Sequence, residues 1–155
     1  MFLTQPNMSD KLYYKWQDLE KDCKFLASQI KKDGFKYEMM VAITRGGLFV
    51  AGLVAQFFKP CAIETICLNS YKGDKRGKLT MFRGINKKLP CEKPTLICDD
   101  VIDTGGTMRV AKKLFPNSKI IVLHYKSKNK PIIKPDYYCQ DTNKWIVYPW
   151  EVNEK

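Results

Sequence analysis

Residues 96–108 read LICDDVIDTGGTM, and this stretch is the most informative about the fold. A run of apolar and small residues ends at two adjacent carboxylates, Asp99 and Asp100, and a third carboxylate, Asp103, comes before Thr-Gly-Gly-Thr at 104–107. An apolar run that stops at charged residues is typical of a buried strand reaching the edge of a sheet. A glycine-rich turn before a new helical pattern indicates a helix N-terminus. The stretch therefore predicts a strand, a turn and a helix, with the polar residues at the carboxyl end of the strand.

The sequence on both sides continues this alternation of strands and helices. Apolar residues at 16, 19, 23, 26, 27 and 30 form one stripe of an amphipathic helix. We predict strands over 39–45, 62–68, 94–100, 119–125 and 145–150, and helices over 16–30, 46–58 and 107–115. Strands that are apolar throughout and separated by helices indicate a parallel sheet covered on both faces. The predicted fold class is α/β, in one domain over residues 1–155.

Composition and cysteine usage narrow the class of protein. Hydrophobic residues at 45% and charged residues at 28% are typical of a globular chain. The N-terminus has no signal-peptide pattern, and no apolar run approaches the length that crosses a bilayer. Six cysteines without CxxC spacing, together with the single histidine His124, disfavour a structural zinc site. We expect reduced thiols and a cytoplasmic protein.

The net charge of +11 is concentrated in one segment. Between Lys72 and Lys88 there are seven basic residues and one acid, Asp74. A solvated loop, an anionic small-molecule substrate, a nucleic acid and an acidic membrane surface all fit this charge. The surrounding segment 69–93 has no strong periodicity, and long irregular segments in compact domains are usually functional lids or disordered.

The opening stretch suits a ligand that carries both a phosphate and hydroxyl groups. Residues 104–107 can direct backbone N–H groups at a phosphate on a helix N-terminus. Carboxylates suit vicinal hydroxyls and Mg²⁺. An ordinary turn explains Thr-Gly-Gly-Thr alone, but it does not explain three carboxylates upstream, because burying them unpaired is costly. No Walker A loop and no GxGxxG motif is present. The residues therefore describe a sugar-phosphate site.

LICDDVIDTGGTM also resembles the phosphoribosyl-pyrophosphate (PRPP) signature of type I phosphoribosyltransferases. Segments resembling the bacterial xanthine-guanine phosphoribosyltransferases follow in the family's order: MSDKLYYKW (8–16), VAITRGGLFVAGLVA (41–55), ICLNSY (66–71), HYKSKNKP (124–131) and DTNKWIVYPWE (141–151). The first of them resembles the usual start of these enzymes, so residues 1–7 are expected to be an N-terminal extension and Met8 an alternative start. The resemblance implies the type I phosphoribosyltransferase fold, a central parallel sheet flanked by helices with a small hood made by the terminal segments.

The resemblance also implies roles for individual residues. The expected PRPP contacts are Arg45, Gly46, Arg76, Asp99, Asp100, Val101, Ile102, Asp103, Thr104, Gly105, Gly106 and Thr107. The expected purine contacts are Asp103, Lys126, Trp145 and Ile146. The catalytic residues would be Asp99, Asp100 and Asp103. Asp100 would contact the cofactor Mg²⁺, and Asp103 would manage the proton on purine N7.

The basic segment and two aromatic residues outside these sets can also be interpreted. Segment 69–88 would be a mobile active-site lid, in which Arg76 is the best candidate for the arginine that contacts pyrophosphate, with Lys75 and Lys78 as competitors. Trp150 is interpreted as a core residue, and His124 as a packed histidine within an apolar strand.

The implied function is purine salvage. Guanine or xanthine, and next hypoxanthine, would react with PRPP to give the nucleoside 5′-monophosphate (GMP or XMP) and pyrophosphate. The alternatives are a hypoxanthine-preferring enzyme and a non-enzymatic, nucleotide-sensing RNA-binding regulator of the same fold. The expected partners are the substrates and a second copy of the chain, in a homodimer or homotetramer. Nucleic acid is not an expected partner. Peripheral association with the inner face of the membrane is a further alternative that the basic surface leaves open.

Overall fold

The computed structural model describes residues 10–70, 79–83 and 90–152. The elements are β1 (Lys11–Tyr13), α1 (Trp16–Asp33), β2 (Met39–Ile43), α2 (Gly46–Ala55), β3 (Ala62–Ser70), β4 (Leu79–Arg83), β5 (Thr95–Ile102), α3 (Gly106–Leu114), β6 (Ser118–Tyr125), β7 (Tyr137–Asp141) and β8 (Trp145–Val147). A short 3₁₀ turn covers Ser127–Asn129. The predicted extension 1–7, Met8, Arg76, Lys75, Lys78 and most of the predicted lid lie outside the described residues.

Six strands form the main sheet in the order β4-β3-β2-β5-β6-β7. Five of them are parallel, and β4 runs antiparallel to β3 at one edge. The predicted parallel α/β fold is confirmed, but the sequence analysis missed both edge strands of this sheet. β4 lies in the basic segment without a clear pattern. In β7 only Tyr137 is fully buried, so that strand has no continuous apolar run to detect.

The ends of the described chain form the hood. β1 pairs in parallel with β8, and Lys11 lies opposite Trp145 while Tyr13 lies opposite Val147. The predicted strand 145–150 ends at Val147, because the chain turns there and the Glu151 N–H donates to the Tyr148 carbonyl at 3.0 Å. A hood made by the terminal segments is therefore confirmed, and β1 is an element that the sequence analysis did not predict.

The core has one apolar layer on each face of the sheet, as expected for strands buried on both sides. Along β5, Leu96 packs into the layer beneath α1 and α2, whereas Ile97 packs into the layer beneath α3. Both side chains are inaccessible to solvent. Burying a side chain of this size contributes about 2 kcal/mol to stability. The two layers fix β5 at the centre of the sheet and thereby fix the position of the carboxylates that follow it.

Within the described part of the chain, no helix combines the length and the apolar character that a bilayer crossing requires. The six cysteines are free thiols, in agreement with the expected reduced state.

Candidate active site

The candidate site lies where the carboxyl ends of three neighbouring strands meet. β5 pairs with β2 on one side and with β6 on the other. Ligands of open α/β sheets bind beyond such strand ends. The residues that follow β2, end β5 and follow β6 are therefore neighbours, although they lie far apart in the sequence.

One cavity of about 510 Å³ brings together five of the predicted PRPP residues: Arg45, Gly46, Asp99, Asp100 and Thr107. Leu68 of β3 and two residues of the C-terminal segment, Trp150 and Glu151, complete part of its wall. The peptide bond between Thr44 and Arg45, at the mouth of α2, is cis. The cavity thus has carboxylates on one side and an arginine with a helix N-terminus on the other.

Two glycines let α2 approach β5 closely enough to form this cavity. A Cβ atom added at Gly46 would overlap the carboxylate of Asp100, and one added at Gly47 would overlap the carbonyl oxygen of Cys98. Both glycines are buried. The two glycines are therefore required sterically, because a side chain at Gly46 would displace the Asp100 carboxylate or the helix, and one at Gly47 would push the helix off the strand.

The carboxylates of Asp99 and Asp100 are partly buried, and the charge of Asp100 disfavours the charged form of Asp99. Burial, and then the charge of Asp100, raises the pKa of Asp99 well above its usual range. Burial also raises the pKa of Asp100. Hydrogen bonds from neighbouring groups, Asp99 first among them, lower this pKa and offset part of the increase. Asp99 also accepts a hydrogen bond from the backbone N–H of Asp100 at 2.9 Å. A cation placed between these groups and a ligand would relieve the repulsion.

This donor set fits Mg²⁺ shared with a phosphorylated substrate. Among residues 10–70, 79–83 and 90–152, no group of three His, Cys, Asp or Glu side chains converges as a self-contained metal site. Mg²⁺ characteristically binds through one or two carboxylates and keeps substrate phosphates and waters as its other ligands. Asp100, with Asp99 beside it, would supply that small number of protein ligands.

The loop at 103–105, between β5 and α3, holds residues predicted to contact phosphate and is called the phosphate loop. Gly105 is the N-cap of α3 with φ +81°, a conformation that favours glycine, and its carbonyl accepts the Arg109 N–H at 2.9 Å. Residues 132 and 133 cover this loop. The Ile132 N–H donates to the Thr104 carbonyl at 3.0 Å, and a Cβ on Gly105 would lie 2.9 Å from a methyl group of Ile133. The N–H groups of the first turn of α3 are suited to a phosphate.

Asp103 lies beside a second cavity, of about 580 Å³, which Lys126 and Trp145 line together with residues 141–144. The ammonium of Lys126 is 3.4 Å from one Asp103 carboxylate oxygen and 5.6 Å from the centre of the Trp145 ring. The side-chain amide of Asn129 donates to the other carboxylate oxygen. The ammonium donor and the planar ring therefore line one space, and the Asp103 carboxylate contacts that ammonium.

The comparisons with known proteins agree with this geometry. A sequence model of the phosphoribosyl transferase domain matches residues 9–155. The chain belongs to the phosphoribosyl transferase domain family. It is similar to the xanthine-guanine phosphoribosyltransferase of Chromohalobacter salexigens, with 30% identity over 139 residues that cover 88% of this chain and 82% of the relative.

Two solved structures extend the similarity. The purine phosphoribosyltransferase of Pyrococcus horikoshii superposes with a TM-score of 0.80 at 30% identity, covering 92% of this chain and 94% of the other. A protein of Neisseria gonorrhoeae with bound ppGpp superposes with a TM-score of 0.81 at 27% identity, covering 95% and 92%. The predicted family and fold are confirmed.

Some predicted contacts of the phosphoribosyltransferase can be made only by backbone. Val101 packs against one core layer, and Ile102 and Ile146 are buried in the core. Trp145, in contrast, is 44% exposed at the second cavity, as a stacking residue should be. Arg76 lies outside the described residues, so its predicted role in the lid stays a prediction.

The structure adds two residues that the sequence analysis missed. Asn129 holds Asp103 from the 3₁₀ turn, and no pattern in the sequence pointed to it. Trp150, interpreted as core, does pack against the core, but it also lines the first cavity and contacts Asp100. Its place in the segment DTNKWIVYPWE was the only available signal. His124 is fully buried and bonded to Tyr148, in agreement with a packed histidine.

Proposed function

We propose that this phosphoribosyltransferase is a purine salvage enzyme. Guanine or xanthine, and next hypoxanthine, displaces pyrophosphate from PRPP to give the nucleoside 5′-monophosphate. The observation that carries the proposal is the pairing of two neighbouring cavities. One is lined by Asp99, Asp100 and Thr107, and the other by Lys126 and Trp145. The first suits a sugar phosphate with its metal ion, and the second suits a planar base.

The phosphate end of the substrate would be held by backbone groups. The 5′-phosphate would accept hydrogen bonds from the N–H groups at the start of α3, while Asp99 and Asp100 would accept hydrogen bonds from the ribose hydroxyls. Arg45 and the N–H of Gly46 would face the pyrophosphate. Mg²⁺, when bound with PRPP, supplies charge neutralisation for the departing pyrophosphate. We propose Asp100 as its nearer protein ligand.

The base end would be organised by Asp103 and Lys126. Lys126 would donate to O6 of a 6-oxopurine, which disfavours adenine because its exocyclic amine is itself a donor. Asp103 would take or share the N7 proton as N9 attacks the anomeric carbon. Because Lys126 contacts Asp103 at 3.4 Å, the base would replace Asp103 as the partner of this ammonium, and Asn129 would still hold the carboxylate.

The proposal extends to assembly, compartment and lid. Trp16 and Leu48 are 53% and 43% exposed beside an apolar cavity of about 670 Å³ between α1 and α2, and apolar surface of this kind supports a homodimer or homotetramer. A cytoplasmic enzyme formed as one domain over 1–155, with a lid over 69–88, completes the proposal. Light scattering on the purified protein measures the assembly.

The decisive experiment is nucleotide formation from PRPP and Mg²⁺, with guanine, xanthine, hypoxanthine, adenine and orotate offered separately. Turnover of 6-oxopurines alone is expected. Lys126→Met should raise the KM for guanine about tenfold or more and leave the KM for PRPP near its original value. Lys128→Met is the matched control, because Lys128 is exposed on the neighbouring turn. Tight PRPP binding without turnover of any base would overturn the enzyme proposal.

A regulatory role is the second candidate, favoured by the similarity to the Neisseria gonorrhoeae protein with bound ppGpp. A guanine base with phosphates on both sides of its ribose would occupy the same two cavities. Competition between ppGpp and PRPP, measured by calorimetry, tests this binding. RNA binding with a steep dependence on salt and negligible turnover would favour the regulator over the enzyme.

A further inference from the structure

A buried hydrogen-bond chain connects β6 to the end of β5 through the segment that follows β8. The hydroxyl of Tyr148 donates to the backbone carbonyl of Asp100 at 3.1 Å, and the same oxygen lies 2.8 Å from Nδ1 of His124. His124 is inaccessible to solvent and Tyr148 is 2% exposed. Because Asp100 is the proposed metal ligand, this chain reaches the main chain of that ligand from within the core.

The number of protons available fixes the direction of the chain. A tyrosine hydroxyl carries one proton and a carbonyl oxygen can only accept, so the Tyr148 proton goes to Asp100. The Tyr148 oxygen must then accept from His124, which requires a proton on Nδ1. Burial, and then the charge of Lys126, lowers the pKa of His124 to about 4, so the ring is neutral near pH 7 and Nε2 carries no proton.

The other ring nitrogen of His124 agrees with this direction. Nε2 is buried and has no hydrogen-bond partner among the described residues. With the proton on Nδ1, the protein leaves one acceptor unpaired. With the proton on Nε2, it would bury an unpaired N–H group, and the Asp100 carbonyl would also lose its donor, because Tyr148 would then donate to His124. The chain from His124 through Tyr148 to Asp100 is therefore the arrangement with fewer unpaired groups.

The surroundings of Tyr148 keep its hydroxyl at this place. Its ring is stacked on that of Trp150 with 4.7 Å between the ring centres, and it makes an edge contact with the Tyr14 ring at 5.6 Å. In the turn after β8, the Tyr148 N–H donates to the Glu151 carboxylate at 3.1 Å, and the Glu151 N–H donates to the Tyr148 carbonyl at 3.0 Å. Because both the ring and the backbone of Tyr148 are held, the hydroxyl is held as well.

The position of the Asp100 main chain determines where its carboxylate lies. The carboxylate has little room beside α2, because a Cβ atom added at Gly46 would overlap it. We propose that His124 and Tyr148 form a positioning pair, which holds Asp100 in the geometry needed to bind Mg²⁺ with PRPP. The inference rests on the proposed function. Hydrogen bonds that orient a metal ligand commonly govern metal affinity.

The test measures Mn²⁺ binding in the presence of PRPP by electron paramagnetic resonance, which does not depend on turnover. Tyr148→Phe keeps the stacked ring and removes only the hydroxyl. Mn²⁺ should bind about fivefold more weakly, as expected for the loss of one hydrogen bond. The KM for PRPP should rise by a similar factor, whereas the KM for guanine should stay near its original value, because Lys126 and Trp145 are unchanged.

Nitrogen NMR gives a second readout, since His124 is the single histidine of the chain and the protein can be purified without a histidine tag. At pH 7 the original protein should show a protonated Nδ1 and an unprotonated Nε2. In Tyr148→Phe the Nδ1 proton loses its acceptor, so the Nδ1 signal should shift. A proton on Nε2 in the original protein would reverse the chain and overturn the positioning pair.

Tyr14→Phe is the matched control. The Tyr14 hydroxyl donates to Asp22 at 2.7 Å, and the ring lies 5.1 Å from that of His124. This variant therefore removes a tyrosine hydroxyl from the same cluster without touching Asp100, and its Mn²⁺ affinity should equal that of the original protein. Unchanged Mn²⁺ affinity in Tyr148→Phe, or an equal loss in Tyr14→Phe, would overturn the proposal.

A variant with 4-aminophenylalanine at position 148 restores an N–H donor beside Asp100 and should recover most of the Mn²⁺ affinity. An affinity no better than that of Tyr148→Phe would contradict the role of the donor. If the original protein binds Mn²⁺ with PRPP but turns over no base, the proposed enzyme fails and the binding test still decides the role of the pair. If it does not bind Mn²⁺ with PRPP, both proposals fail.

Discussion

The carboxylates at the end of β5 and just after it lie in two different environments. Asp99 and Asp100 are partly buried side by side, and burial with mutual repulsion raises the pKa of Asp99 well above its usual range. Asp103, three residues later, is about half exposed, and its two oxygens contact Lys126 and Asn129. Among the described residues no ion pair reaches Asp99 or Asp100, whereas Asp103 has its own cation in Lys126.

This difference separates the pair Asp99 and Asp100, which is suited to bind a cation, from Asp103, which is proposed to accept a proton. The paired carboxylates gain most from an external cation, because their repulsion is relieved only when one binds. Asp103 keeps a partner that a substrate can replace, so its charge is available when a base arrives. The predictions below alter one environment and leave the other unchanged.

The largest effect is expected from Gly46→Ala. The new methyl group would overlap the Asp100 carboxylate and move either the helix or the metal ligand, so turnover should fall by a factor of about 10³. Gly52→Ala is the matched control in the same helix, since a Cβ there meets nothing within 4 Å. Gly52→Ala should retain activity and raise the free energy of unfolding by about 0.5–1 kcal/mol. Steady-state kinetics and urea unfolding measure both. An active Gly46→Ala enzyme would show that the close approach is not needed.

Asp103→Asn should have the next largest effect. The amide keeps the shape of the side chain but cannot accept the N7 proton, so kcat should fall by a factor of about 10²–10³ while PRPP affinity changes little. Asp136→Asn serves as the control, because Asp136 binds the Ile120 N–H at the opposite end of β6. A loss of PRPP binding equal to the loss of kcat would contradict the separation of the two environments.

Asn129→Ala should have a smaller effect on the same carboxylate. Losing one exposed hydrogen bond to a charged group costs about 1 kcal/mol, which corresponds to a decrease of about fivefold in kcat. The KM for PRPP should stay constant, because Asp99 and Asp100 are not touched. Asn117→Ala, at the far end of the sheet, should leave kcat unchanged. Equal effects of the two alanine variants would remove Asn129 from the site.

The smallest effect on turnover is expected from His124, which contacts Tyr148 behind Asp100. Burial, and then the charge of Lys126, lowers the pKa of His124 to about 4. The unfolded chain binds this proton below about pH 6.5 whereas the folded protein does so only near pH 4, so the free energy of unfolding should fall as the pH decreases through this window. The full loss is at most about 3 kcal/mol.

Because Asp99 and Asp100 titrate with the opposite sign, the measurement is the difference between the original protein and His124→Gln in urea unfolding at pH 7, 5.5 and 4.5. Relative to His124→Gln, the original protein should lose free energy of unfolding as the pH falls from 7 to 4.5. Parallel curves would show that His124 is not kept neutral by its surroundings.

The sequence predicted what depends on local patterns. The strand and turn of residues 96–108 have a period and a glycine signature, and the central sheet follows from apolar runs that are buried on both faces. β7 and β4 escaped because edge strands are half exposed and lack that run. The contact between Asp103 and Lys126 was predictable, since parallel strands end at one edge.

The partners of those carboxylates were not predictable in the same way. Asn129 reaches Asp103 from a turn 26 residues further along the chain, and this contact depends on the path of the 3₁₀ turn rather than on any periodicity. Trp150 looks like a core residue in the sequence because its ring does pack against the core. Only the coordinates reveal that it also lines the cavity that contains Asp100. Polar contacts between distant segments are therefore where sequence reasoning stopped.

The pairing of β1 with β8 has a consequence for biosynthesis. Lys11 and Trp145 are partners in that two-stranded sheet, so the residue proposed to stack on the base is placed by a strand near the start of the chain and supplied by one near its end. The phosphate loop, in contrast, is complete once β5 and α3 have been made. On the ribosome, the strand and helix that flank the predicted phosphate contacts are therefore made before the last strand of the base cavity, whereas the wall of the first cavity still awaits Trp150 and Glu151.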